Sequence, residues 1–288
     1  MAHLKHAPIY RKGTHRGQTA VKSYDGQITM TSQKRCEGCR DGDELPFDFK
    51  MAFHPIVDMN KRRVWGYEAL VRGPNGEGAG SILAQVDATN RYKFDQACRV
   101  KSIEAASRLF REPHLRLSIN FMPNAVYEPA ACIRASLAAA EKYGFARERI
   151  VFEFTEDEKM VDTAHVQRII AEYRRLGFTV ALDDFGAGYA GLGLLADFQP
   201  DMIKIDMHLL RDIHRSPPRQ AIVGAIVDMA RRLDITVLAE GIETAEEMVV
   251  LRAAGISLMQ GFLFAKPALD ALPPVHELEM PTAREAVA

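Results

Sequence analysis

A repeated helix ending, followed each time by a short apolar run, is the feature that most restricts the fold of this chain. Four helical stretches have a last turn with a basic or small residue, and this turn is followed by Gly or Asp and then by an apolar residue. The four endings are Lys142-Tyr143-Gly144-Phe145, Arg175-Leu176-Gly177-Phe178, Arg232-Leu233-Asp234-Ile235 and Ala253-Ala254-Gly255-Ile256. The pattern is typical of a helix C-cap that leads into a strand.

Short apolar runs alternate with these helices, which predicts a parallel sheet. The six runs are Leu115–Phe121, Ile150–Thr155, Phe178–Asp183, Met202–Ile205, Thr236–Ala239 and Leu258–Phe262. Two earlier runs, 49–58 and 64–73, are joined by a turn so short that they must form an antiparallel hairpin. Eight strands in this order predict an α/β fold, a TIM-like (β/α)8 barrel with the first strand antiparallel. A doubly wound open sheet is the alternative, although no GxGxxG follows a strand.

Composition restricts the class of partner. The 288 residues suit one large domain or two small ones, and 37 basic against 38 acidic residues leave a net charge of -1. Such a balance does not attract a nucleic-acid duplex, whereas a small anionic ligand needs only local positive charge. We find no signal peptide and no apolar run long enough to insert in a membrane, so we expect a cytoplasmic protein.

The two ends of the chain differ from the middle. Residues 1–45 are polar and basic, which predicts a flexible N-terminal arm. Cys36-Glu37-Gly38-Cys39 in this arm has the spacing of half a zinc knuckle, but the second half is missing, so the motif alone does not predict zinc. We expect the barrel to occupy residues 46–275 and a tail to follow at 276–288.

Nearly every predicted strand ends in a side chain suited to metal binding or acid–base chemistry. These residues are Glu68, Arg72, Asn120, Glu153, Glu156, Asp183, Asp184, Lys204, Asp206, Glu240, Glu243 and Gln260. Each has an ordinary structural explanation, such as a rim salt bridge, a turn residue or an acid at a helix N-terminus. However, barrel active sites lie at the carboxyl ends of the strands, and seven strand ends share this property. The sequence therefore predicts one site at that face.

The donor atoms indicate which metal this site would take. The candidate ligands Glu68, Asn120, Glu153, Asp183 and Asp184 offer only oxygen, which suits Mg²⁺ or Mn²⁺ rather than Zn²⁺. Five protein ligands are more than one open Mg²⁺ site requires, so we expect two ions that share an aspartate. Two such ions clamp the attacking and leaving oxygens of a phosphodiester, and a lysine positions or deprotonates water. These residue types therefore point to metal-assisted phosphoester hydrolysis.

Glu68-Ala69-Leu70, within Tyr-Glu-Ala-Leu-Val-Arg-Gly, resembles the signature of EAL domains, which are cyclic di-GMP phosphodiesterases. Further segments resemble motifs of this family, in the family's order, between about residues 49 and 269. They are Phe152-Glu153-Phe154-Thr155-Glu156, Asp183-Asp184-Phe185-Gly186, Lys204-Ile205-Asp206, Ala239-Glu240-Gly241-Ile242-Glu243, and Gln260-Gly261-Phe262 with Pro267. The resemblance implies a TIM-like barrel with an antiparallel first strand and hydrolysis of cyclic di-GMP to linear pGpG.

The resemblance also implies roles for the polar residues. The ligands of one Mg²⁺ or Mn²⁺ ion would be Glu68, Asn120, Glu153 and Asp183. Asp183 and Asp184 would face a second ion, with Glu240 close by, and Lys204 would orient or deprotonate the attacking water. The catalytic set is thus Glu68, Lys204 and Glu240.

On the substrate side, the resemblance implies that Arg72 meets a phosphate. The residues expected to line the nucleotide groove are His54, Leu70, Glu243 and Gln260. Glu156 would anchor the loop from Asp184 to about Leu195, which in the family couples a homodimer interface to the site.

Two departures from the family pattern stand out. His54 replaces a common glutamine close to the nucleotide, which brings in a group that titrates near neutral pH. The loop at 187–193 has Ala and Gly where Thr or Ser is usual, which would loosen it. Neither change removes a metal ligand. The alternative function is a catalytically weak EAL domain that acts as a cyclic di-GMP receptor, and a role in protein interaction has no specific support.

Overall fold

The computed structural model describes residues 45–126, 128–155, 163–187 and 191–276. The predicted arm with Cys36 and Cys39, the expected loop anchor Glu156 and nearly all of the predicted C-terminal tail lie outside these ranges.

Eight strands close into a barrel, as predicted. The strands are β1 (Lys50–Asp58), β2 (Arg63–Arg72), β3 (Arg116–Asn120), β4 (Ile150–Thr155), β5 (Thr179–Phe185), β6 (Met202–Ile205), β7 (Thr236–Ala239) and β8 (Leu258–Gln260). Strands β2 to β8 are hydrogen-bonded in sequence order as parallel neighbours, and β1 pairs antiparallel with both β2 and β8, which closes the ring. A two-residue strand β9 (Ala268–Leu269), which was not predicted, also pairs with β1.

Helices occupy most of the connections between the strands. They are α1 (Ala79–Leu83), α2 (Arg91–Leu109), α3 (Pro129–Cys132), α4 (Arg134–Lys142), α5 (Thr163–Arg175), α6 (Gly191–Asp197), α7 (Met207–Leu210), α8 (Pro217–Arg232) and α9 (Ala245–Ala253). Short 3-10 turns lie at Pro123–Ala125, Arg147–Arg149 and Ile213–Arg215. None of the helices in the described part of the chain combines the length and apolar character that a membrane crossing requires.

The repeated helix endings have the structure that their sequence predicts. The Gly or Asp of each ending lies in the left-handed region, with φ of 64° at Gly144, 91° at Gly177, 57° at Asp234 and 95° at Gly255. The amide of the following apolar residue then donates to a carbonyl five residues earlier, for example Phe145 N to Ala140 O at 2.9 Å. This hydrogen bond is characteristic of the Schellman motif, which ends each helix and turns the chain toward the next strand.

The antiparallel β1 brings residues from distant parts of the chain together. His54 is paired with Glu68 across β1 and β2. On the other edge of β1, Ile56 is paired with Gln260 of β8. As a result, the first hairpin and the last barrel strand contribute to the same face of the barrel.

An apolar layer fills the barrel directly beneath the polar strand ends. Its buried members are Ile56, Val151, Ala181, Met202, Leu238 and Leu258, with Trp65 packed against them. Five of them lie two residues before a polar residue, in the pairs Val151 and Glu153, Ala181 and Asp183, Met202 and Lys204, Leu238 and Glu240, and Leu258 and Gln260. Because residues two apart on a strand face the same way, the layer that fills the barrel also sets the direction of the polar side chains above it.

Candidate metal centre and active site

Glu68 joins three strands at the carboxyl end of the barrel. Its carboxylate accepts hydrogen bonds from Asn120 Nδ2 of β3 at 2.8 Å and from Gln260 Nε2 of β8 at 3.1 Å. The side chain is 8% exposed. The two amides satisfy the buried carboxylate and fix its orientation toward the centre of the barrel mouth.

Lys204 lies at the centre of this mouth, surrounded by carboxylates. Its Nζ is 2.7 Å from Glu240, 2.9 Å from Glu153, 3.0 Å from Asp183 and 3.8 Å from Glu68. The lysine side chain is only 1% exposed. One buried cation thus stands among four acidic groups that the sequence had placed on separate strands.

Asp183 and Asp184 act on the same side of the barrel because β5 is irregular. Adjacent residues of a regular strand point to opposite faces. Asp184 instead has φ of 53°, and the register between β5 and β6 shifts between Leu182 and Phe185. The amide of Asp184 also donates to Asp183 Oδ1 at 2.9 Å. The strand end therefore presents both carboxylates to the barrel mouth.

Two groups of carboxylates have the spacing of metal-binding sites. Glu68, Glu153 and Asp183 form the first, and Asp183, Asp184 and Glu240 form the second. Within each group the candidate ligand atoms lie within 4.8 Å of one another. All donors are oxygens and Asp183 belongs to both groups, so the residues fit a pair of hard divalent ions such as Mg²⁺ or Mn²⁺.

The charges at the mouth do not balance, because one ammonium group faces four carboxyl groups. Burial raises the pKa of Glu153 to about 8, and the neighbouring acids Glu68 and Asp183 add to this. Burial, followed by the charge of Asp183, raises the pKa of Glu240 well above its usual range. Without a metal ion Glu153 therefore retains its proton near neutral pH, which relieves repulsion that Lys204 cannot cancel alone.

The pKa values of Lys204 and Glu68 are shifted so that the charged form of each group is favoured. Burial alone would lower the pKa of Lys204, but Asp183 and the glutamates around it raise the pKa well above its usual value. Burial alone would raise the pKa of Glu68, but Lys204 and the hydrogen bond from Asn120 lower it. The metal-free site thus contains an ammonium group and an ionised Glu68.

Several residues that the sequence analysis did not assign to the site take part in it. Ser118, which lies two residues before Asn120 on β3, donates a hydrogen bond from its Oγ to the carboxyl group of Glu153. The period of two along β3 was the signal that would have identified it. Asp206, which the sequence places at this face without a specific role, is buried at the cavity wall and caps α7 by accepting from His208 N at 2.8 Å. Phe262 is 53% exposed beside them.

A cavity of about 340 Å³ opens above the carboxylates. Its walls include His54, Glu68, Asp183, Asp184, Asp206, Met207, Glu240, Gly241, Glu243, Gln260, Gly261 and Phe262. The His54 ring lies 5.9 Å from the Phe262 ring and 3.2 Å, through Nε2, from Ala265 O. Burial lowers the pKa of His54, so the imidazole is neutral at pH 7.

Leu70 and Arg72 lie away from this cavity. They line a second, mainly apolar cavity of about 550 Å³, whose walls also include Asn120 and Phe94. Arg72 NH1 donates to its own neighbour's carbonyl, Val71 O, at 2.7 Å. Since Asn120 also binds Glu68, the two cavities adjoin at the end of β2.

Glu243 is at the cavity wall, as expected, but it is paired with a cation. Arg211 contacts its carboxylate at 2.8 Å through both NH1 and NH2. Glu247 supports this corner by accepting from the amides of Glu243 and Asp212 at 3.0 and 2.9 Å. The structure thus brings together every predicted site residue that it describes, except that Leu70 and Arg72 face the adjoining cavity.

Comparison with known proteins connects this geometry to a family. A model of the EAL domain matches residues 47–267. The blue light- and temperature-regulated antirepressor BluF of Escherichia coli is 34% identical over 248 residues, which cover 86% of this chain and 61% of BluF. A cyclic di-GMP phosphodiesterase of Pseudomonas aeruginosa is 30% identical over 247 residues, which cover 83% of this chain and 41% of that protein. This chain therefore spans less than two thirds of either relative.

Solved structures give the same result. A standalone versatile EAL protein from Vibrio cholerae, in its c-di-GMP bound form, matches with a TM-score of 0.78 and 51% identity, covering 81% of this chain and 98% of that one. BlrP1 from Klebsiella pneumoniae, in a manganese and cyclic di-GMP complex at pH 9.0, matches with a TM-score of 0.71 and 39% identity. The match covers 79% of this chain and 58% of that one.

Proposed function

The chain belongs to the EAL domain family, and from this membership and the site described above we propose that it hydrolyses cyclic di-GMP to linear pGpG with two divalent cations. The observation that carries the proposal is the set of oxygen donors that surrounds Lys204. The two carboxylate groups with metal-binding spacing share Asp183, and Lys204 contacts members of each group.

The residues divide the work in the following way. Glu68, Asn120, Glu153 and Asp183 would hold one ion, and Asp183 and Asp184 would hold the other, with Glu240 beside it. When bound, Mg²⁺ or Mn²⁺ ions polarise the scissile phosphate and lower the pKa of a coordinated water. Water attacks phosphorus, and cleavage of the bond to the 3′ oxygen leaves the 5′ phosphate of pGpG.

Lys204 acts on the attacking water in this scheme. The surrounding carboxylates raise its pKa in the metal-free site, and bound cations would weaken their effect. We assign Lys204 the orientation or deprotonation of the water and the compensation of negative charge.

The shape of the mouth supports a substrate with two bases. The exposed Phe262 ring offers a stacking surface in the polar cavity, and the apolar cavity bordered by Leu70 and Arg72 adjoins it. Arg72 is the group we assign to a phosphate. His54, Glu243 and Gln260 line the polar cavity around the first base.

Three further elements of the proposal rest on the family alone. We assign Glu156 the anchoring of the loop that follows Asp184, and we propose a homodimer, which light scattering of the purified protein will test. Turnover of a second messenger takes place in the cytoplasm, so we place the protein there.

Product analysis tests the proposed function. Purified protein is incubated with cyclic di-GMP and Mg²⁺ or Mn²⁺, with EDTA in a parallel sample, and the nucleotides are separated by chromatography. Metal-dependent pGpG supports the proposal. Intact substrate together with binding in calorimetry supports the receptor alternative. If no product forms and no binding is detected, both the phosphodiesterase and the receptor hypotheses are excluded.

A further inference from the structure

A buried ion pair lies behind the candidate metal centre, on the inner face of α2. Arg99 NH2 is 2.7 Å from Asp95 Oδ2, and the two side chains are 0% and 1% exposed. They are four residues apart, so they share one face of the helix. We call them the α2 ion pair. Burying two charges costs free energy of desolvation, and the net gain in stability from their attraction is often small. Stability alone therefore does not explain why this pair is buried.

Asp95 holds the segment that follows β3. Its Oδ1 accepts a hydrogen bond from the amide of Met122 at 2.9 Å. Met122 is two residues after Asn120, the candidate ligand that ends the strand. A charge-assisted bond to the backbone at this point restricts where the strand can end.

Arg99 packs against the residues adjacent to both neighbouring ligands. Its guanidinium carbon lies 5.2 Å from the centroid of the Phe121 ring and 5.3 Å from that of Phe152. Phe121 follows Asn120, and Phe152 precedes Glu153. Because consecutive strand residues point to opposite faces, a group that fixes these rings outside the barrel also fixes the ligands inside it.

Further bonds make this arrangement rigid. Arg99 NH1 donates to the hydroxyl of Tyr173 on α5 at 2.8 Å, and the amide of Phe121 donates to Glu153 O at 2.8 Å. The ends of β3 and β4 are therefore connected to each other, and both are held from the helix side by one cation. Neither Asp95 nor Arg99 lines the polar cavity above the carboxylates, although Asp95 lines the adjoining apolar cavity.

We propose that the α2 ion pair positions Asn120 and Glu153 for the first divalent cation, an inference that rests on the proposed function. Neither Asp95 nor Arg99 touches the ion. Groups that orient metal ligands typically change metal affinity by about 10- to 100-fold when removed. A pair that served packing alone would change stability and leave metal affinity unaltered.

The test separates these roles with a double variant, Asp95→Leu with Arg99→Met, which leaves no unpaired charge in the interior. Mn²⁺ affinity is measured by calorimetry without substrate, and the melting temperature is measured in EDTA. We expect a melting temperature within about 5 °C of that of the unmodified protein and Mn²⁺ affinity lowered by about tenfold or more. The rate should recover at saturating Mn²⁺.

The matched control is Asp228→Leu with Arg231→Met, which removes an exposed ion pair of α8 whose atoms are 2.8 Å apart. It should leave Mn²⁺ affinity unaltered. Unaltered affinity in the α2 double variant would overturn the proposal. If that variant does not fold, Arg99→Lys keeps the charge without the planar guanidinium, and unaltered affinity there has the same meaning. Mn²⁺ binding by a protein that makes no pGpG would refute the proposed function alone, whereas absence of Mn²⁺ binding would refute both.

Discussion

Lys204 Nζ lies 2.9 Å from an oxygen of Glu153, and neither side chain has more than 1% of its surface exposed. The ammonium group thus contacts a carboxylate that the first candidate ion also needs. Lys204 and the metal are therefore coupled electrostatically, and the loss of either changes how the remaining charges are balanced.

Replacing Lys204 with methionine should affect both stability and activity. It removes the cation that contacts three buried carboxyl groups and the partly exposed Glu240, and uncompensated buried charge costs about 3–5 kcal/mol. We expect a lower melting temperature in EDTA and a larger stabilisation by Mn²⁺ than in the unmodified protein. Formation of pGpG should fall by about 100-fold or more. Lys142→Met, at an exposed site on α4, is the control, and equal melting curves for the two variants would contradict this account.

Replacing Glu68 with glutamine should weaken the first ion site. Glutamine keeps the shape, but it has one acceptor oxygen where the carboxylate receives bonds from both Asn120 and Gln260. We expect pGpG formation to fall by at least about 100-fold, and calorimetry should show weaker Mn²⁺ binding. Glu141→Gln on the surface of α4 should behave like the unmodified protein. Full activity of Glu68→Gln would remove this residue from the metal centre.

Replacing Asp184 should separate backbone strain from metal binding. At φ of 53° an asparagine is tolerated, whereas alanine costs about 1 kcal/mol. Asp184→Asn should therefore have an unchanged melting temperature in EDTA but lose Mn²⁺ binding at the second site. Asp184→Ala should have a lower melting temperature and also lose Mn²⁺ binding at that site. Asp212→Asn, at φ of 54°, is the control for the backbone effect. Two Mn²⁺ ions bound by Asp184→Asn with unaltered affinity would show that Asp184 is not a ligand.

Metal affinity should depend on pH. Burial raises the pKa of Glu153 to about 8, and a carboxyl group must lose its proton to ligate a metal ion. Mn²⁺ affinity should therefore rise from pH 6 to pH 8, by up to about tenfold per unit for each proton displaced, and then level off. Calorimetry in buffers of different ionisation enthalpy measures the protons released. Affinity that falls over this range would contradict the protonation of Glu153.

The same proton should act on stability in the opposite direction when metal is absent. The ordinary pKa of a glutamate is 4.5, so the unfolded chain releases this proton while the folded chain keeps it up to about pH 8. Stability therefore has its full contribution from Glu153 below about pH 4.5 and loses it as the pH rises through 8. The melting temperature in EDTA should decline between these values, and saturating Mn²⁺ should reduce the decline.

Replacing Phe262 with alanine should affect substrate binding without affecting stability. The ring is 53% exposed, with Lys266 Nζ 5.5 Å from its centroid. Stacking of a base on an aromatic ring contributes about 1–3 kcal/mol, which corresponds to a KM raised by roughly 5- to 150-fold with kcat nearly unchanged. Steady-state kinetics measures this, with the exposed Leu233→Ala as the control. An unchanged KM would show that no base stacks on this ring.

Much of the architecture follows from short-range patterns. The Gly144, Gly177, Asp234 and Gly255 helix endings were visible because a Schellman motif is written in consecutive residues. The collection of Glu153, Asp183 and Lys204 in one place was predictable because parallel strands of a barrel end at the same face. The order of the strands and the type of residue at the end of each strand were enough for this prediction.

What the sequence did not reveal depends on contacts between distant segments. Asp95 and Arg99 look like ordinary polar residues of a helix, and only the structure shows that they meet Met122 and Phe121. The left-handed conformation of Asp184 depends on a register shift between two strands, and β9 is too short to have a periodic signal. Arg72 was expected to meet a substrate phosphate. It lines the adjoining apolar cavity, and its contact with a phosphate stays a proposal.

The closure of the barrel has a consequence for biosynthesis. Gln260 Nε2 donates to the carbonyl of His54, 206 residues earlier, as well as to Glu68. At translation rates of about 5–20 residues per second, β1 therefore waits roughly 10–40 s on the ribosome for the strand that completes its pairing. Such distant pairing also makes folding slow, because the entropy of a long loop is lost before the contacts form. The first hairpin must remain soluble through this interval with one edge unpaired, so the early nascent chain is the stage at which chaperones have most to protect.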